Sequence, residues 1–340
     1  MPIPDFIITK APFRVSFAGG GTDLASYYKS DYGAVVSTAI DKYVYVIINQ
    51  CRPILHRGVD DISRHRIRLS YSSTENVEHA VDLTHPIVRE SMRLLDLDTP
   101  MDIATMADVP AGTGLGSSGT FSVALLHALH LSKGEEVDRE QLASEAAKVE
   151  IQCLDRPVGK QDHYASAYGG LNAIRFNSDE SVDVRPLGNS REMIEQLFPN
   201  LLLLYTGVSR DAATILSEQN QNSSALTSEL TSIRRDAETV EGLLAGNLDI
   251  ESFGQVLHET WSSKRKLSSS ISNGDIDHWY NTAMKAGAIG GKLCGAGGGG
   301  FLLLVVKPEQ RAAVNQALGD LSELSIGYEP RGSISLLHMD

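Results

Sequence analysis

The chain has 340 residues, of which 43 are Asp or Glu and 30 are Lys or Arg, so its formal net charge at pH 7 is −13. This balance argues against a nucleic-acid partner and against an anionic membrane, although loop amides and a few cations can still bind a small polyanion. A hydrophobic content of 42% with 21% charged residues is typical of a soluble globular protein, and the length favours two domains.

The sequence predicts a soluble protein of the cytoplasm. Residues 1–14 lack the cationic and apolar regions of a signal peptide, and the apolar run at 301–306 is too short to span a bilayer. Cys51, Cys153 and Cys294 are widely spaced and show no metal-ligand pattern, so we expect free thiols in a reducing compartment.

The first half of the chain is predicted to be rich in strands, with helices following. β-Branched and aromatic residues predict strands at 6–10, 13–18, 33–40, 42–50, 65–72 and 101–107. Apolar periodicity predicts helices at 85–97 and 117–131. Asp138 and Gln141 form a capping-box pattern that opens a further helix, which we expect to end near residue 155.

The polar segment 177–195 is predicted to be irregular and to contain the domain boundary, with one domain at 1–185 and the other at 195–340. Beyond it, the pattern predicts strands at 200–207, 301–306 and 333–338, and helices at 209–245, 249–270, 275–287 and after Pro308.

Three glycine-rich stretches carry most of the functional signal, at 11–23, 109–120 and 292–300. In the second, Gly112, Gly114 and Gly116 allow the backbone to approach a ligand closely, and Ser117 and Ser118 begin a predicted helix. Unpaired N–H groups and the positive end of a helix dipole attract phosphate at such a place. The loop lacks the Gly-Lys-Ser/Thr ending of a Walker A motif, and a plain helix start after a flexible turn is the alternative.

The other two stretches are less specific. The stretch at 292–300 contains a G-x-G-x-x-G spacing, but a strand follows it, which excludes the dinucleotide-binding interpretation. It is either a tightly packed turn or a backbone wall around a reacting centre. In the first stretch, Arg14 lies within an apolar strand, where it needs an acidic partner or a bound anion. Asp23 is interpreted from spacing alone as the cap of the following helix.

Together these stretches resemble the superfamily of galactokinase, homoserine kinase, mevalonate kinase and phosphomevalonate kinase (the GHMP kinases). Its motifs match this chain in order, at Pro12 and Arg14, at 110–118 and at 295–300. Within the superfamily the chain is most similar to sugar 1-kinases that act on D-glycero-D-manno-heptose 7-phosphate. The resemblance implies an α+β fold, in which an N-terminal ATP-binding domain contains a left-handed βαβ unit and a ferredoxin-like domain follows.

The resemblance also implies roles for individual residues. Asp162 matches the catalytic base, and Arg14 matches the cation that pairs with this base and steadies the phosphoryl group. Ser118 and Glu150 match the Mg²⁺ ligands. The loop that would wrap the ATP phosphates consists of Gly112, Thr113, Gly114, Leu115, Gly116, Ser117 and Ser118. The expected sugar contacts are Gly20, Gly21, Thr22, Asp23, Arg210, Gly297 and Gly298.

One departure from galactokinase bears on the substrate. Where galactokinase has Gly-Glu-His-Thr-Asp, this chain has three glycines at 19–21 followed by Thr22 and Asp23, which leaves room for a longer sugar. Candidate cations for a 7-phosphate are Arg210, Lys160 and the cluster Arg64, His65 and Arg66, although a solvated loop is the favoured interpretation of that cluster.

The sequence therefore predicts an ATP- and Mg²⁺-dependent kinase that phosphorylates the anomeric hydroxyl of heptose 7-phosphate, on the way to nucleotide-activated heptose and surface polysaccharide. Its partners would be MgATP and a sugar phosphate, with no nucleic acid or membrane, and with a homo-oligomer as a possibility. The alternatives are a kinase of the same fold for L-fucose or a galactose-like sugar, and a non-catalytic sugar sensor. The intact Arg14, Ser118, Glu150 and Asp162 disfavour the sensor.

Overall fold

The computed structural model describes residues 4–50, 66–187, 190–208 and 227–339. The strands in this part of the chain are β1 (Phe6–Ala18), β2 (Gly33–Gln50), β3 (Ile67–Ser70), β4 (Thr74–Val77), β5 (Met101–Ala107), β6 (Leu171–Phe176), β7 (Val182–Pro186), β8 (Leu201–Tyr205), β9 (Gly290–Leu293), β10 (Phe301–Val305), β11 (Ser322–Glu323) and β12 (Ile334–Met339).

The helices in the same ranges are α1 (Ala25–Tyr28), α2 (Pro86–Leu94), α3 (Ser117–Ser132), α4 (Arg139–Lys148), α5 (Gln161–Tyr168), α6 (Arg191–Leu197), α7 (Thr227–Ala245), α8 (Ile250–Lys264), α9 (Gly274–Lys285) and α10 (Pro308–Ala317). A π-helical turn, Val149–Cys153, continues α4. None of the helices described is both long enough and apolar enough to cross a membrane.

The larger sheet has the order β12-β1-β2-β5-β3-β4, and β6 pairs with both β2 and β7. Strand β2 is long enough to serve two neighbours, since its residues 33–38 pair with β6 and its residues 44–50 pair with β5. The strand pairs described in this sheet are antiparallel except for β3 with β5, and α2 lies in the connection between these two strands.

The smaller sheet has the order β11-β8-β10-β9, and its pairs are antiparallel. Numbered along the chain, its strands lie in the spatial order 4-1-3-2, with helices between the first and second and between the third and fourth. This is the ferredoxin-like arrangement of a βαββαβ unit. The predicted α+β class is therefore confirmed, while the division into domains at 1–185 and 195–340 stays a prediction.

Several sequence predictions need correction. The strands predicted at 6–10 and 13–18 form the single strand β1, and those at 33–40 and 42–50 form the single strand β2. The segment 177–195 is not irregular, because it contains β7 and the start of α6. The helix predicted at 249–270 ends at Lys264 as α8. Of the helix predicted at 209–245, residues 209–226 lie outside the described part.

The capping box predicted at the start of α4 is only half formed. The Asp138 carboxylate accepts a hydrogen bond from the Gln141 backbone N–H at 2.8 Å, as an N-cap should. The Gln141 side chain turns away from the cap and donates to Glu145 at 2.9 Å. One orphan N–H of the helix is thus satisfied by the cap.

One hydrophobic cluster joins the two sheets. Phe17 of β1, Leu203 of β8 and Phe253 of α8 are all buried within it. The rings of Phe17 and Phe253 meet edge to face, with centroids 5.2 Å apart and an interplanar angle of 82°. A second cluster fills the space between the larger sheet and α2, α3 and α4, and a third lies around β8, β10 and α8. The first cluster holds the segments on either side of the glycine loops together.

Helix α8 packs directly on β9 because two glycines face each other there. A Cβ atom added to Gly290 would lie 1.9 Å from the carbonyl oxygen of Gly254. A Cβ added to Gly254 would lie 2.6 Å from a side-chain carbon of Ile289. This close approach fixes the end of α8 beside the third glycine loop.

We expect Gly290→Ala to destabilise the fold by about 1–3 kcal/mol, the usual cost of overpacking, with a fall in Tm of a few degrees. The new methyl group would collide with helix backbone, which cannot rotate away. Gly274→Ala is the matched control, because Gly274 is exposed at the start of α9 and a Cβ there meets no atom within 4 Å. Thermal unfolding followed by circular dichroism compares the two variants, and equal Tm values would contradict the packing argument.

Candidate active site

The glycine-rich stretches converge on one pocket. Its described lining comes from residues 20, 21, 23 and 24, from residues 112, 114 and 116–119, from residues 158, 159 and 161–163, and from residues 294–297 and 299, together with Arg14 and Lys264. These segments belong to the start of the chain, the loop before α3, the start of α5 and the loop between β9 and β10. The structure thus brings the three glycine-rich stretches to one pocket, although the first and the third are separated by more than 250 residues.

The second and third glycine loops touch through their backbones. A Cβ atom added to Gly114 would lie 2.6 Å from the carbonyl oxygen of Cys294, and one added to Gly295 would lie 2.4 Å from the Gly114 Cα. The Phe301 N–H donates a hydrogen bond to the Thr113 carbonyl at 3.1 Å. The third loop is therefore a tightly packed turn and also part of the pocket wall, while its interpretation as a wall around a reacting centre stays a prediction.

The start of α3 faces this pocket without a side-chain cap. Gly116 is the N-cap in a left-handed conformation, with φ of 82°, and as a glycine it has no side chain with which to hydrogen-bond the first turn. Ser117 and Ser118 follow on the pocket wall. Uncapped N–H groups at a helix N-terminus suit an anion, as the sequence predicted.

Arg14 and Asp162 form an ion pair in the pocket. The Arg14 Nε and Nη2 atoms lie 2.8 and 2.5 Å from Oδ1 of Asp162, and Nη1 donates to the Gly114 carbonyl at 2.7 Å. The Arg14 side chain is 4% exposed, whereas that of Asp162 is 24% exposed. No described residue hydrogen-bonds Oδ2 of Asp162. The buried cation thus has its partner, and the partner keeps one oxygen available to accept a proton.

Asp23 joins two walls of the pocket and does not cap α1, the helix that follows it in the chain. The N-cap of α1 is Leu24, so the interpretation of Asp23 as a cap is wrong. Its Oδ1 accepts from the Gly21 N–H at 2.9 Å and its Oδ2 from the Gln161 N–H at 3.2 Å. Burial is the main cause that raises the pKa of Asp23. The neighbouring Thr22 is buried, and its hydroxyl donates to the Gly19 carbonyl at 2.7 Å, within the same turn.

Glu150 lies in the π-helical turn, a rare geometry that often occurs at functional sites. It is fully buried and accepts hydrogen bonds from Ser122 at 3.1 Å, from His163 at 3.1 Å and from Arg156 at 3.0 Å. Burial opposes the charged form, yet His163 and Arg156 together lower the pKa of Glu150. The carboxylate is therefore ionised; it is not in the described lining of the pocket, whereas its hydrogen-bond partner His163 is.

The described residues contain no cluster of three or more His, Cys, Asp or Glu side chains placed to hold a metal ion. Mg²⁺ often needs fewer protein ligands, because phosphates and water complete its coordination. One ionised carboxylate, Glu150, and one hydroxyl, Ser118, are oxygen donors of the kind this cation prefers.

Of the other residues predicted to contact the sugar or its phosphate, some line the pocket and some do not. Gly20, Gly21 and Gly297 line the pocket, whereas Gly298 is not in its described lining and donates its N–H to the Ile271 carbonyl at 2.8 Å. Lys160 also lies outside that lining, and its Nζ binds Glu180 at 2.6 Å. Of the remaining candidate cations, Arg66 is exposed, and Arg64, His65 and Arg210 lie outside the described residues.

Sequence reasoning missed two buried lysines beside the third loop. Lys264 ends α8 and is 6% exposed, and Lys292 lies in β9 and is 3% exposed. Lysines near helix ends are common on surfaces, so Lys264 carried no signal. Lys292 stands in an apolar strand, and the argument applied to Arg14 would have singled it out.

Two family models match the chain, that of the GHMP kinase N-terminal domain at residues 80–170 and that of the GHMP kinase C-terminal domain at residues 240–320. Among curated proteins, D-glycero-alpha-D-manno-heptose 7-phosphate kinase of Campylobacter jejuni is 29% identical, covering 92% of this chain and 93% of that protein. An L-fucokinase/L-fucose-1-P guanylyltransferase of Bacteroides fragilis is 26% identical over 89% of this chain and 35% of its own length.

Solved structures share the fold. A D-glycero-D-manno-heptose 1-phosphate kinase from Bacteroides thetaiotaomicron superposes with a TM-score of 0.79 at 24% identity, covering 98% of this chain and all of that one. Lactococcus lactis galactokinase bound to galactose gives a TM-score of 0.74 at 17% identity, with 98% and 95% coverage. With both family models in the expected order and the same fold over nearly the whole length, the chain belongs to the GHMP kinases.

Proposed function

We propose that this kinase transfers the terminal phosphoryl group of ATP to the anomeric hydroxyl of D-glycero-D-manno-heptose 7-phosphate, which gives the 1,7-bisphosphate. The observation that carries this proposal is the Arg14–Asp162 ion pair, set in a pocket walled by two phosphate-compatible glycine loops. The similarity to a heptose 7-phosphate kinase over nine-tenths of the chain supports the choice of sugar. In a cell the product would serve the synthesis of nucleotide-activated heptose.

Asp162 would act as the general base. Phosphoryl transfer depends mainly on positioning the attacking hydroxyl and on neutralising charge on the group in motion. Oδ2 of Asp162 can accept the proton of the anomeric hydroxyl while Oδ1 stays bound to Arg14. The guanidinium, held in turn by the Gly114 carbonyl, places a fixed positive charge beside the reacting atoms.

The ATP phosphates would lie against residues 112–118. The uncapped start of α3 offers backbone N–H groups, and Gly116 leaves no side chain between this turn and the ion pair, since a Cβ there would lie 3.0 Å from Cγ of Asp162. Ser118 and Glu150 would hold Mg²⁺, which supplies positive charge to the phosphate oxygens when bound. Oε1 of Glu150 accepts two hydrogen bonds, from Ser122 and His163, whereas Oε2 accepts one described hydrogen bond, from Arg156, and so has a further lone pair for a cation.

The sugar would enter over Gly20, Gly21 and Asp23. This wall presents backbone and a buried carboxyl group rather than long side chains, so a seven-carbon sugar with a terminal phosphate meets no acidic side chain from Gly20. An L-fucose kinase is the second candidate, because the chain is also similar to an L-fucokinase. Incubation with MgATP and a panel of sugars and sugar phosphates, read by phosphorus NMR, distinguishes the two. A new anomeric phosphate on L-fucose alone would refute the heptose assignment.

We expect Asp162→Asn to lower kcat by about 10²–10⁴-fold, the usual contribution of a general base. The amide keeps the oxygen that Arg14 contacts, so nucleotide binding should change little. Steady-state kinetics test this, with the exposed Asp320→Asn as the control. If kcat stays within a few-fold of the parent value, the carboxylate only positions Arg14.

Glu150→Gln should raise the Mg²⁺ concentration needed for half-maximal activity by about tenfold or more, a common loss for residues at a metal site. The binding of sugar phosphate in the absence of metal should stay unchanged. Mg²⁺ titrations at fixed ATP concentration measure the effect, and the exposed Glu259→Gln is the matched control. A curve superimposable on that of the parent would show that Glu150 serves only to bind Arg156 and His163.

Gly20 allows a direct test of the phosphosugar. Its φ is not in the left-handed region, and a Cβ there would meet only Nε2 of Gln161, at 3.5 Å, so a side chain fits without strain. Gly20→Glu would bring a negative charge towards the sugar phosphate, whereas Gly20→Gln adds nearly the same bulk without charge. We expect the Glu variant to lose kcat/KM for heptose 7-phosphate about tenfold more than the Gln variant, because like charges repel strongly in a partly desolvated cleft. Equal losses would show that the phosphate lies elsewhere.

A further inference from the structure

Two lysines that the proposed mechanism does not use lie at the junction of the glycine loops. The Lys264 ammonium donates to the Gly295 carbonyl and reaches the Leu293 carbonyl at 3.5 Å. Gly295 touches the backbone of Gly114, whose own carbonyl accepts from Arg14. Arg14 therefore binds one partner of the loop contact, Gly114, and Lys264 binds the other, Gly295. Both cations line the pocket.

These cations differ in how their charge is balanced. Arg14 is paired with Asp162, but among the described residues neither Lys264 nor Lys292 has a carboxylate oxygen within 4.0 Å of its ammonium. Burial and the neighbouring Lys292 lower the pKa of Lys264 to about 7, and burial lowers the pKa of Lys292 to about 8. Arg14 acts on both in the same direction, whereas Asp23 and Cys294 oppose the shift. Burial thus disfavours these two positive charges, and an anion beside them would stabilise both.

We propose that Lys264 is a further catalytic residue, whose ammonium contacts the phosphoryl group as it passes from ATP to the sugar, with Lys292 as a second positive charge beside it. Two of the three N–H donors of Lys264 are directed at backbone carbonyls, so the third remains for a phosphate oxygen. The position beside Arg14 assigns this anion to the reacting end of the pocket rather than to the distant phosphate of the sugar. The inference rests on the proposed use of ATP, but not on the identity of the sugar.

The test compares the affinities for MgATP and MgADP, measured by calorimetry without any sugar. Lys264→Gln should weaken MgATP binding by about tenfold or more, the scale of one charge-assisted hydrogen bond, and leave MgADP binding within about twofold. The intact ADP affinity reports that the loop is still folded. Lys292→Gln should act in the same direction, and Lys266→Gln, two residues beyond Lys264 and exposed, should change neither affinity.

Two results would overturn the proposal. Parallel losses of ATP and ADP affinity in Lys264→Gln and Lys292→Gln would show that the lysines only hold the loop. Unchanged ATP affinity with weakened binding of sugar 7-phosphate would assign them to the substrate's own phosphate. If Lys264→Gln does not fold, the MgATP and MgADP affinities of Lys292→Gln decide between these outcomes. No described residue hydrogen-bonds the Lys292 side chain, so its replacement breaks no described contact of the loop. A wrong choice of sugar under the proposed function leaves these nucleotide affinities untouched.

Discussion

The backbone contact between Gly114 and Gly295 is the constraint on which the candidate site depends. With Cβ atoms present, these residues would collide at 2.6 Å or less, so glycine is required for the loops to meet at all. The contact brings the loop before α3 against the loop after β9, and it places the carbonyl of Gly114 within reach of Arg14. The ion pair, the uncapped helix start and the two lysines all take their positions from this junction.

The junction also explains how an acidic chain can contain a local positive site, as the proposed binding of ATP requires. The net charge of −13 is spread over the molecule, whereas Arg14, Lys264 and Lys292 gather in one buried place. Asp162 is paired with Arg14, and no described carboxylate oxygen lies within 4.0 Å of either lysine ammonium, so the charges of the two lysines are not offset by an ion pair. Local geometry therefore outweighs net charge, because interactions in a cleft of low dielectric constant are screened less than those at the surface.

The sequence predicted those features of the candidate site that depend on residues close together in the chain. The strand, glycine loop and helix order around residues 101–131 was correct, as was the need of Arg14 for an acidic partner. Asp162 and Glu150 could be found only through the family resemblance, since acids on helices are common and the partner Arg14 is 148 residues away from Asp162. The unbroken strand β2 was missed because Asp41 is a poor strand residue. A hydrogen bond at 2.7 Å from the Gly327 N–H, invisible to local propensity, holds the Asp41 carboxylate in place.

The walls of the pocket differ in whether they can accept a new side chain, and this affects how such a kinase can acquire new substrates. At the proposed phosphate end the two loops meet through glycine backbone, so a side chain added at Gly114 or Gly295 would remove the loop contact rather than adjust it. The opposite wall, at Gly20, accepts a side chain without displacing backbone. Under the proposed function, substitutions at Gly20 could therefore change which sugar binds while the residues proposed for phosphoryl transfer stay the same.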